Sequence, residues 1–500
     1  MTDTSAEGAQ AKYTGGLDAI ERALWIALLL LVPISSSPLL PFGQGTLVRP
    51  LAVVPAVLLV LMAALRIVVL GQMPALKRGG FLLLCLFGFY VLFSGLAEIA
   101  FLPDRAFKGQ TPLGSFLRAV ATLDVGIVFY TVARLQLRTP ADAKAALRYL
   151  FIGMTASIAL AVVQVFAMTQ HGQMLRDVQA ITDIFAVHYD GLVSRAQGMT
   201  FEPSWLATQI IVLLLPALLA ASLSGQALFN ARSRTATWLL LFAGFAVALA
   251  GLLSSGSRFG LGCAAAMLVI SGFLALWRGR VIALGAFLLV LLVGVGALLA
   301  MSTFRAGAGA TYVLGPVIYL TQSAELPRDQ SEMATDVADA LALGGRISAA
   351  QAALGMWRDN PLFGLSLGNS YRYFGKYAPD WAFQTQLFTQ GAREGIGWLD
   401  TFSPEKGNAK NLVLRLLSET GLVGFFLFFL FIVKQIFAGK TDDDFHRYFR
   451  LSTLLALGFA FLNQDSLADP VLWIPIALCF AMNASLRTTP RCASIEPRTE

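Results

Sequence analysis

Three arginines stand where a cation can meet a phosphate: Arg195, shortly before Gln197-Gly198-Met199-Thr200-Phe201-Glu202-Pro203; Arg258, closing Ser254-Ser255-Gly256-Ser257; and Arg346, after Gly344-Gly345. A planar guanidinium keeps its charge at any physiological pH and grips phosphate oxygens two at a time, which suits a diphosphate. The competing reading is an arginine at a membrane interface that snorkels to lipid head groups. A second group is aromatic: Tyr371, Tyr373, Phe374, Tyr377 and Trp381. Such faces bind sugar rings, and equally pack small loop cores or sit at the lipid interface.

The elements that must position these residues are membrane spans. The chain has 500 residues, 56% hydrophobic and only 13% charged, with a mean hydropathy of +0.68. That exceeds the apolar share of a soluble domain and comes in runs long enough to cross a bilayer, so an all-α polytopic membrane protein is expected. The net charge of +7 sits largely in short Lys/Arg segments between apolar runs; topology explains it, and no nucleic-acid partner is expected. Cys85, Cys263 and Cys479 lie inside apolar runs and Cys492 in the tail, which suggests no disulfide framework. Asp18 and Glu21 precede the first apolar run, so that run is expected to stay as an anchor rather than be cleaved.

About twelve helical spans are predicted, near residues 23–40, 51–70, 81–101, 114–133, 149–168, 203–223, 237–254, 259–277, 281–302, 412–437, 451–462 and 470–486. Counted this way, the basic groups Arg66 to Arg78, Arg134 to Arg148, Arg232 and Arg234, Arg278 and Arg280, Lys434 to Arg450, and Arg487 and Arg491 all fall on one side. The positive-inside rule makes that side cytoplasmic, with both termini. The predicted division is residues 1–302 as spans one to nine, 303–410 as one large periplasmic loop, and 411–500 as spans ten to twelve with a cytoplasmic tail. Arg195, Arg258 and Arg346 then occupy the side that otherwise holds few cations, which weakens the snorkelling reading.

The loop has order of its own. Met333, Val337, Ala340 and Leu341 are at helical spacing, as are Ile347, Ala350, Leu354 and Trp357, until Asp359-Asn360-Pro361 ends the pattern. Two short amphipathic helices are expected, followed by a turn-rich segment. Within the spans, Asp124 with Arg118 and Glu419 with Arg415 are candidate ion pairs. Gly421 and Gly424 read as small residues that allow close packing.

Four segments in order resemble the O-antigen ligase/polymerase superfamily: Ser194-Arg195-Ala196-Gln197-Gly198 with Glu202-Pro203-Ser204; Ser255-Gly256-Ser257-Arg258; Gly345-Arg346 running into Trp357-Arg358-Asp359-Asn360-Pro361-Leu362-Phe363-Gly364-Leu365; and Asn411 through Leu416-Leu417-Ser418-Glu419-Thr420-Gly421-Leu422-Val423-Gly424. The resemblance implies a metal-independent, inverting membrane glycosyltransferase without a cofactor, whose donor is an undecaprenyl-diphosphate-linked sugar chain. By motif matching, Arg195, Arg258 and Arg346 would hold the donor diphosphate.

The chain departs from the family pattern at one position, where Lys410 stands in place of the His that usually precedes the Asn of the fourth motif. At its reference pKa a lysine is protonated and accepts no proton, so Lys410 reads better as a further phosphate ligand unless its surroundings lower that pKa. The alternative base is Glu202, just before Pro203, which would start a helix; its plainer reading is a carboxylate at a helix N-terminus. His188, Asp400 and Glu405 are weaker candidates. Asn411 and Glu419 are expected to support the helix that presents Lys410.

The expected activity is that of a polysaccharide polymerase, transferring a lipid-linked glycan chain onto a lipid-linked repeat unit at the outer face of the bacterial inner membrane. An O-antigen ligase, with lipid A core as acceptor, is the alternative. A transporter or flippase is a third reading; it calls for inverted repeats with interrupted spans, and no such repeat is evident. By resemblance, a chain-length regulator and a flippase are expected partners.

Overall fold

A computed structural model of the chain describes residues 4–40, 48–71, 80–101, 106–107, 109–170, 172–187, 195–229, 233–304, 344–379, 409–438 and 443–482. Among them the regular structure is helical, apart from isolated bridges between Ser36 and Arg49 and between Phe107 and Gln110. The helices are α1 (Thr4–Leu31), α2 (Val53–Leu70), α3 (Phe81–Ile99), α4 (Pro112–Gln136), α5 (Pro140–Gln170), α6 (Gly172–Phe185), α7 (Pro203–Ser224), α8 (Arg234–Ser255), α9 (Arg258–Trp277), α10 (Val281–Phe304), α11 (Gly344–Asp359), α12 (Leu412–Ile436), α13 (Asp444–Asn463) and α14 (Pro470–Ala481). Seven of them, α3, α4, α5, α7, α8, α9 and α12, are long and apolar enough to cross a membrane. The described segments of α2, α10 and α14 are shorter apolar helices.

Helix α7 is the centre. Its apolar stretch is wholly enclosed by protein, and α13 packs along its second half, with α8, α9 and α5 around it. One turn, Ile210–Leu214, is a π-helix, followed by Pro216 inside the next α-helical segment. Proline has no N–H to give and its ring crowds the preceding turn, and an inserted residue re-satisfies the ladder there. Around this centre α3 packs on α12, α14 on α4, α10 on α9, and α1 on both α2 and α5.

The first span differs from expectation. The helix begins within the polar lead and ends at Leu31, so residues 32–40 are not helical. Pro33 follows the end, and the chain then turns extended: Ser37 N donates to Arg49 O at 2.9 Å, Arg49 N to Ser35 O at 2.9 Å. Ser35, Ser36 and Ser37 are all buried. Span eleven, expected over 451–462, is longer, because α13 starts at Asp444, where Asp443 caps it by accepting from Phe445 N at 2.9 Å. Asp443 is thus a capping residue.

Basic groups assigned to one side do gather at one end of the bundle. Lys144 donates to Gln226 Oε1 at 3.1 Å, Gln226 to Asp443 Oδ1 at 2.5 Å, and Arg280 lies 3.7 Å from Asp444. The candidate arginines are at the other end.

The second loop helix is α11; residues 333–341, the first, lie outside the described residues, as does Trp381. Of the aromatic group, Tyr371 and Phe374 are core: Tyr371 shares a 2.9 Å hydrogen bond with Ser115 Oγ and packs on Phe107. Tyr373 and Tyr377 stay half-buried.

After α11 the chain dips against α12. Gly421 interrupts that helix with φ 64° and ψ −170°, and the freed groups find partners in the dipping segment. Leu422 N donates to Pro361 O at 2.8 Å, Val423 N to Leu362 O at 3.3 Å, and Leu365 N to Ser418 O at 2.9 Å. Broken backbone at membrane depth is tolerated where protein satisfies it in this way. Gly421 and Gly424 do allow close approach, Gly421 to the backbone of residues 362–363 and Gly424 to Tyr90 of α3.

Candidate active site

Arg195 and Arg258 are brought together by the turn between α8 and α9. Gly256, in the left-handed region at φ 56°, ends α8, and a Cβ there would stand 3.4 Å from Cγ and Cδ of Arg195. Ala196 N donates to Ser254 O at 3.1 Å. Ser257 caps α9, accepting from Gly260 N at 3.2 Å, so Arg258 opens that helix. The strand of chain holding Arg195 is tied down by α5. Gln164 Oε1 accepts from Gln197 N and Gly198 N at 3.0 and 2.8 Å, and Ser157 Oγ from Met199 N at 3.0 Å. Gly198 has φ 59°, and any Cβ would come 2.5 Å from Ser157 O. The Gln-Gly pair is therefore what lets this turn lie flat on the helix.

Glu202 is the N-cap residue of α7 with Pro203 at the first helical position, as the sequence suggested. Its carboxylate caps no backbone N–H; it accepts instead from Ser204 Oγ. Its charge is felt by Arg346 on α11. Burial holds the Arg346 guanidinium below its usual range; Glu202 and Asp465 pull it up, and Arg195 pushes it further down. Arg346 Nη1 also approaches Asn463 O at 3.4 Å, and Asn463 Nδ2 donates to Thr208 Oγ1 of α7 at 2.8 Å. Three chain regions far apart in sequence thus meet around one guanidinium.

Lys410 and Asn411 open α12 beside this group. Asn411 caps the helix, its Oδ1 accepting from Leu414 N at 3.1 Å. Lys410 has φ 48°, unusual for a side-chain-bearing residue. Its N–H donates to Asp465 Oδ2 at 3.0 Å. Asp465 belongs to the connection between α13 and α14, whose backbone is held too: Arg415 Nη1 donates to Asp465 O at 2.7 Å. Burial raises the Asp465 carboxyl above its usual value, with Arg415 and the Lys410 N–H and ammonium opposing. Arg415 also pairs with Glu419, Nε to Oε2 at 3.0 Å, and Ser370 Oγ donates to Glu419 Oε1 at 2.6 Å. The second candidate pair does not form: Arg118 donates to Gln110 Oε1 at 2.9 Å rather than meeting Asp124.

Asp465 is the residue that sequence reading missed. The connection 464–469 joins the eleventh and twelfth predicted spans, and its two carboxylates, Asp465 and Asp469, are the signal available in sequence. His188, Asp400 and Glu405 lie outside the described residues. Among the described residues no three His, Cys, Asp or Glu side chains form a metal-ligand set.

Arginines and carboxylates from loops and helix starts, gathered at one end of an apolar helical bundle, define a multi-pass membrane protein with a charged site at one face. Residues 243–429, from within α8 to within α12, match the family model described as O-antigen ligase. Members of this family are membrane enzymes of lipid-linked polysaccharide. No curated protein matches the chain. Arg258, Arg346, Lys410, Asn411 and Glu419 lie inside the matched stretch; Arg195, Glu202 and Asp465 lie outside it.

Proposed function

We propose that this protein is a polysaccharide polymerase that transfers an undecaprenyl-diphosphate-linked glycan onto a lipid-linked repeat unit at the periplasmic face of the bacterial inner membrane. Both termini are then cytoplasmic, residues 303–410 form a periplasmic loop, and 1–302 and 411–500 are the flanking membrane parts. The observation that carries this reading is the half-buried Arg346, whose guanidinium feels the charges of Glu202, Asp465 and Arg195 and whose Nη1 approaches Asn463 O at 3.4 Å. Cations gathered at one end of an apolar bundle favour an anionic ligand, and a diphosphate is the anion that a lipid-linked donor brings.

Arg195, Arg258 and Arg346 hold the donor diphosphate and stabilise the charge that grows on it as the glycosidic bond breaks. Lys410 adds a fourth cation, and Glu202 takes the acceptor hydroxyl proton as the oxygen attacks the anomeric carbon from the opposite side, inverting it. Asp465 fixes the backbone of Lys410, Asn411 caps the helix behind it, and Glu419 locks Arg415. Chain-length regulator and flippase proteins are the partners such a polymerase works with.

A ligase reading, with lipid A core as acceptor, has the description of the matching family in its favour. Surface polysaccharide from a deletion strain separates the two. Single repeat units without long chains support the polymerase; long chains left on the carrier support the ligase; an unchanged profile ends the sugar-transfer reading.

A further inference from the structure

Asp124 is the middle residue of the 25 in α4, twelve from Pro112 and twelve from Gln136, so about 18 Å of helix separates it from either end. That depth is the centre of a hydrocarbon core about 30 Å thick. The residue also lies on the outer face of the bundle. Phe116, Leu123 and Tyr130 are buried on one face of α4, whereas Leu113, Leu117, Ala121 and Asp124, three or four residues apart, are exposed on the other. Gly126 gives the same orientation: a Cβ there would stand 2.2 Å from Leu467 O and from Trp473 Nε1 of α14. Asp124, two residues earlier, is about 200° away round the helix.

Ionisable residues inside membrane spans ordinarily turn inward and pair with one another. Among the described residues Asp124 has no hydrogen bond and no ion pair. Arg118, on the same helix, is about 120° round from it and donates to Gln110 Oε1 at 2.9 Å. The flanking helices α2 and α3 bring no cation to that depth. Arg66 stands near the end of α2 and pairs with Asp18 and Glu21, and α3 has no Lys or Arg. Their outward side chains are apolar, Leu61 of α2 and Phe89 and Phe93 of α3 among them. One carboxylate therefore marks the centre of an apolar outer face.

We propose that this face of α4 docks a transmembrane helix of a second, different membrane protein, one that carries a lysine or arginine near its middle to meet Asp124. Charge complementarity selects the occupant. Hydrocarbon tails give a carboxylate no partner, whereas a cation at the same depth neutralises it and donates charge-assisted hydrogen bonds. A second copy of this chain does not fit. A two-fold interface sets the same patch on itself, which brings carboxylate to carboxylate, and among the described residues none of the seven candidate spans has Lys or Arg at its middle. Ala121, three residues before Asp124 on the same stripe, is small enough to let the docked backbone approach closely. This docking is independent of the sugar-transfer reading.

The test places the photoreactive amino acid p-benzoylphenylalanine at Leu117, on the same exposed stripe, in the full chain in the membrane of its own cell. Irradiation is followed by identification of the adduct by mass spectrometry. The expected adduct is with a different membrane protein whose span carries a lysine or arginine near its middle. Asp124→Lys is expected to lower its yield by about tenfold or more, and an aspartate in place of the partner's basic residue to bring it back. Asp124→Leu, which suits a lipid-facing position and keeps the chain inserted, is expected to lose the adduct as well. An adduct with a second copy of this chain, with lipid only, or with a span that has no central cation overturns the proposal. So does a yield that Asp124→Leu leaves within about twofold of the parent.

Discussion

Gly364, in the segment after α11, lies directly against the carbonyl of Glu419 in α12: a Cβ at Gly364 would overlap that carbonyl carbon and stand 2.5 Å from Thr420 N. Gly364 has φ 73° and Gly421, two residues past Glu419, has φ 64°. The two glycines close a backbone clasp between the segment that follows the Arg346 helix, α11, and α12, the helix that Lys410 precedes.

Alanine at either clasp glycine should destabilise the protein by about 3 kcal/mol or more, because a positive φ and a backbone overlap add. Thermal melting in detergent measures this. Gly262→Ala in α9, where nothing lies within 4 Å, is expected to melt like the parent. A clasp variant that does the same would remove the structural role.

Tyr90 of α3 donates to Thr420 O at 2.7 Å and to Leu362 O at 3.3 Å, joining both sides of the clasp. Tyr90→Phe deletes one hydroxyl and should cost about 1–2 kcal/mol. Since it leaves every charged group in place, maximal transfer rate per folded molecule should change less than melting temperature does.

Removing the charge of Glu419 leaves Arg415 buried without its carboxylate, so Glu419→Gln is expected to cost about 3 kcal/mol. Ser370→Ala, which removes only the neutral donor to the same carboxylate, should cost about 1 kcal/mol. Equal losses in the two would show that the ion pair carries little of the stability.

For catalysis, Arg346→Ala and Arg195→Ala should lower transfer by about two to three orders of magnitude while the protein remains inserted. Glu202→Gln should lower the maximal rate by a similar factor of about 10² to 10⁴ if it accepts the proton. Asp465→Asn keeps an acceptor for the Lys410 N–H and should lower the rate by about tenfold. A larger loss at Asp465 than at Glu202 would transfer the base role to Asp465.

Asp469 caps α14, accepting from Val471 N at 3.0 Å, and its burial raises the carboxyl to about 6. A raised carboxyl favours the protonated folded state, so its stabilising contribution is complete below about pH 4 and is lost as pH rises through about 6. Asp469→Asn keeps a capping side chain. It should flatten the melting curve's pH dependence between about 4 and 6, a change on the order of 2–3 kcal/mol. An unaltered pH profile would mean that Asp469 does not titrate in this window.

Much of the architecture was legible in linear order. Length of apolar runs exposes a helical membrane protein because the bilayer imposes a minimum span. Glu202-Pro203 announces a helix start because proline suits the first helical position locally. The basic clusters of Lys144 and Arg280 reach the same end of the bundle for the same reason: each follows from counting spans.

Other features depend on distance in space. That Arg346 feels the charges of Glu202 and Asp465, that Asp465 holds the N–H of Lys410, and that residues 361–365 repair the break at Gly421 are relations between segments tens to hundreds of residues apart. No local pattern encodes them, because they are produced by how α7, α11, α12 and α13 pack. Arg118 makes the same point in reverse: six residues from Asp124 it looked paired, yet Gln110 receives its hydrogen bond. Sequence spacing limits which side chains can meet; packing of the bundle selects which ones do.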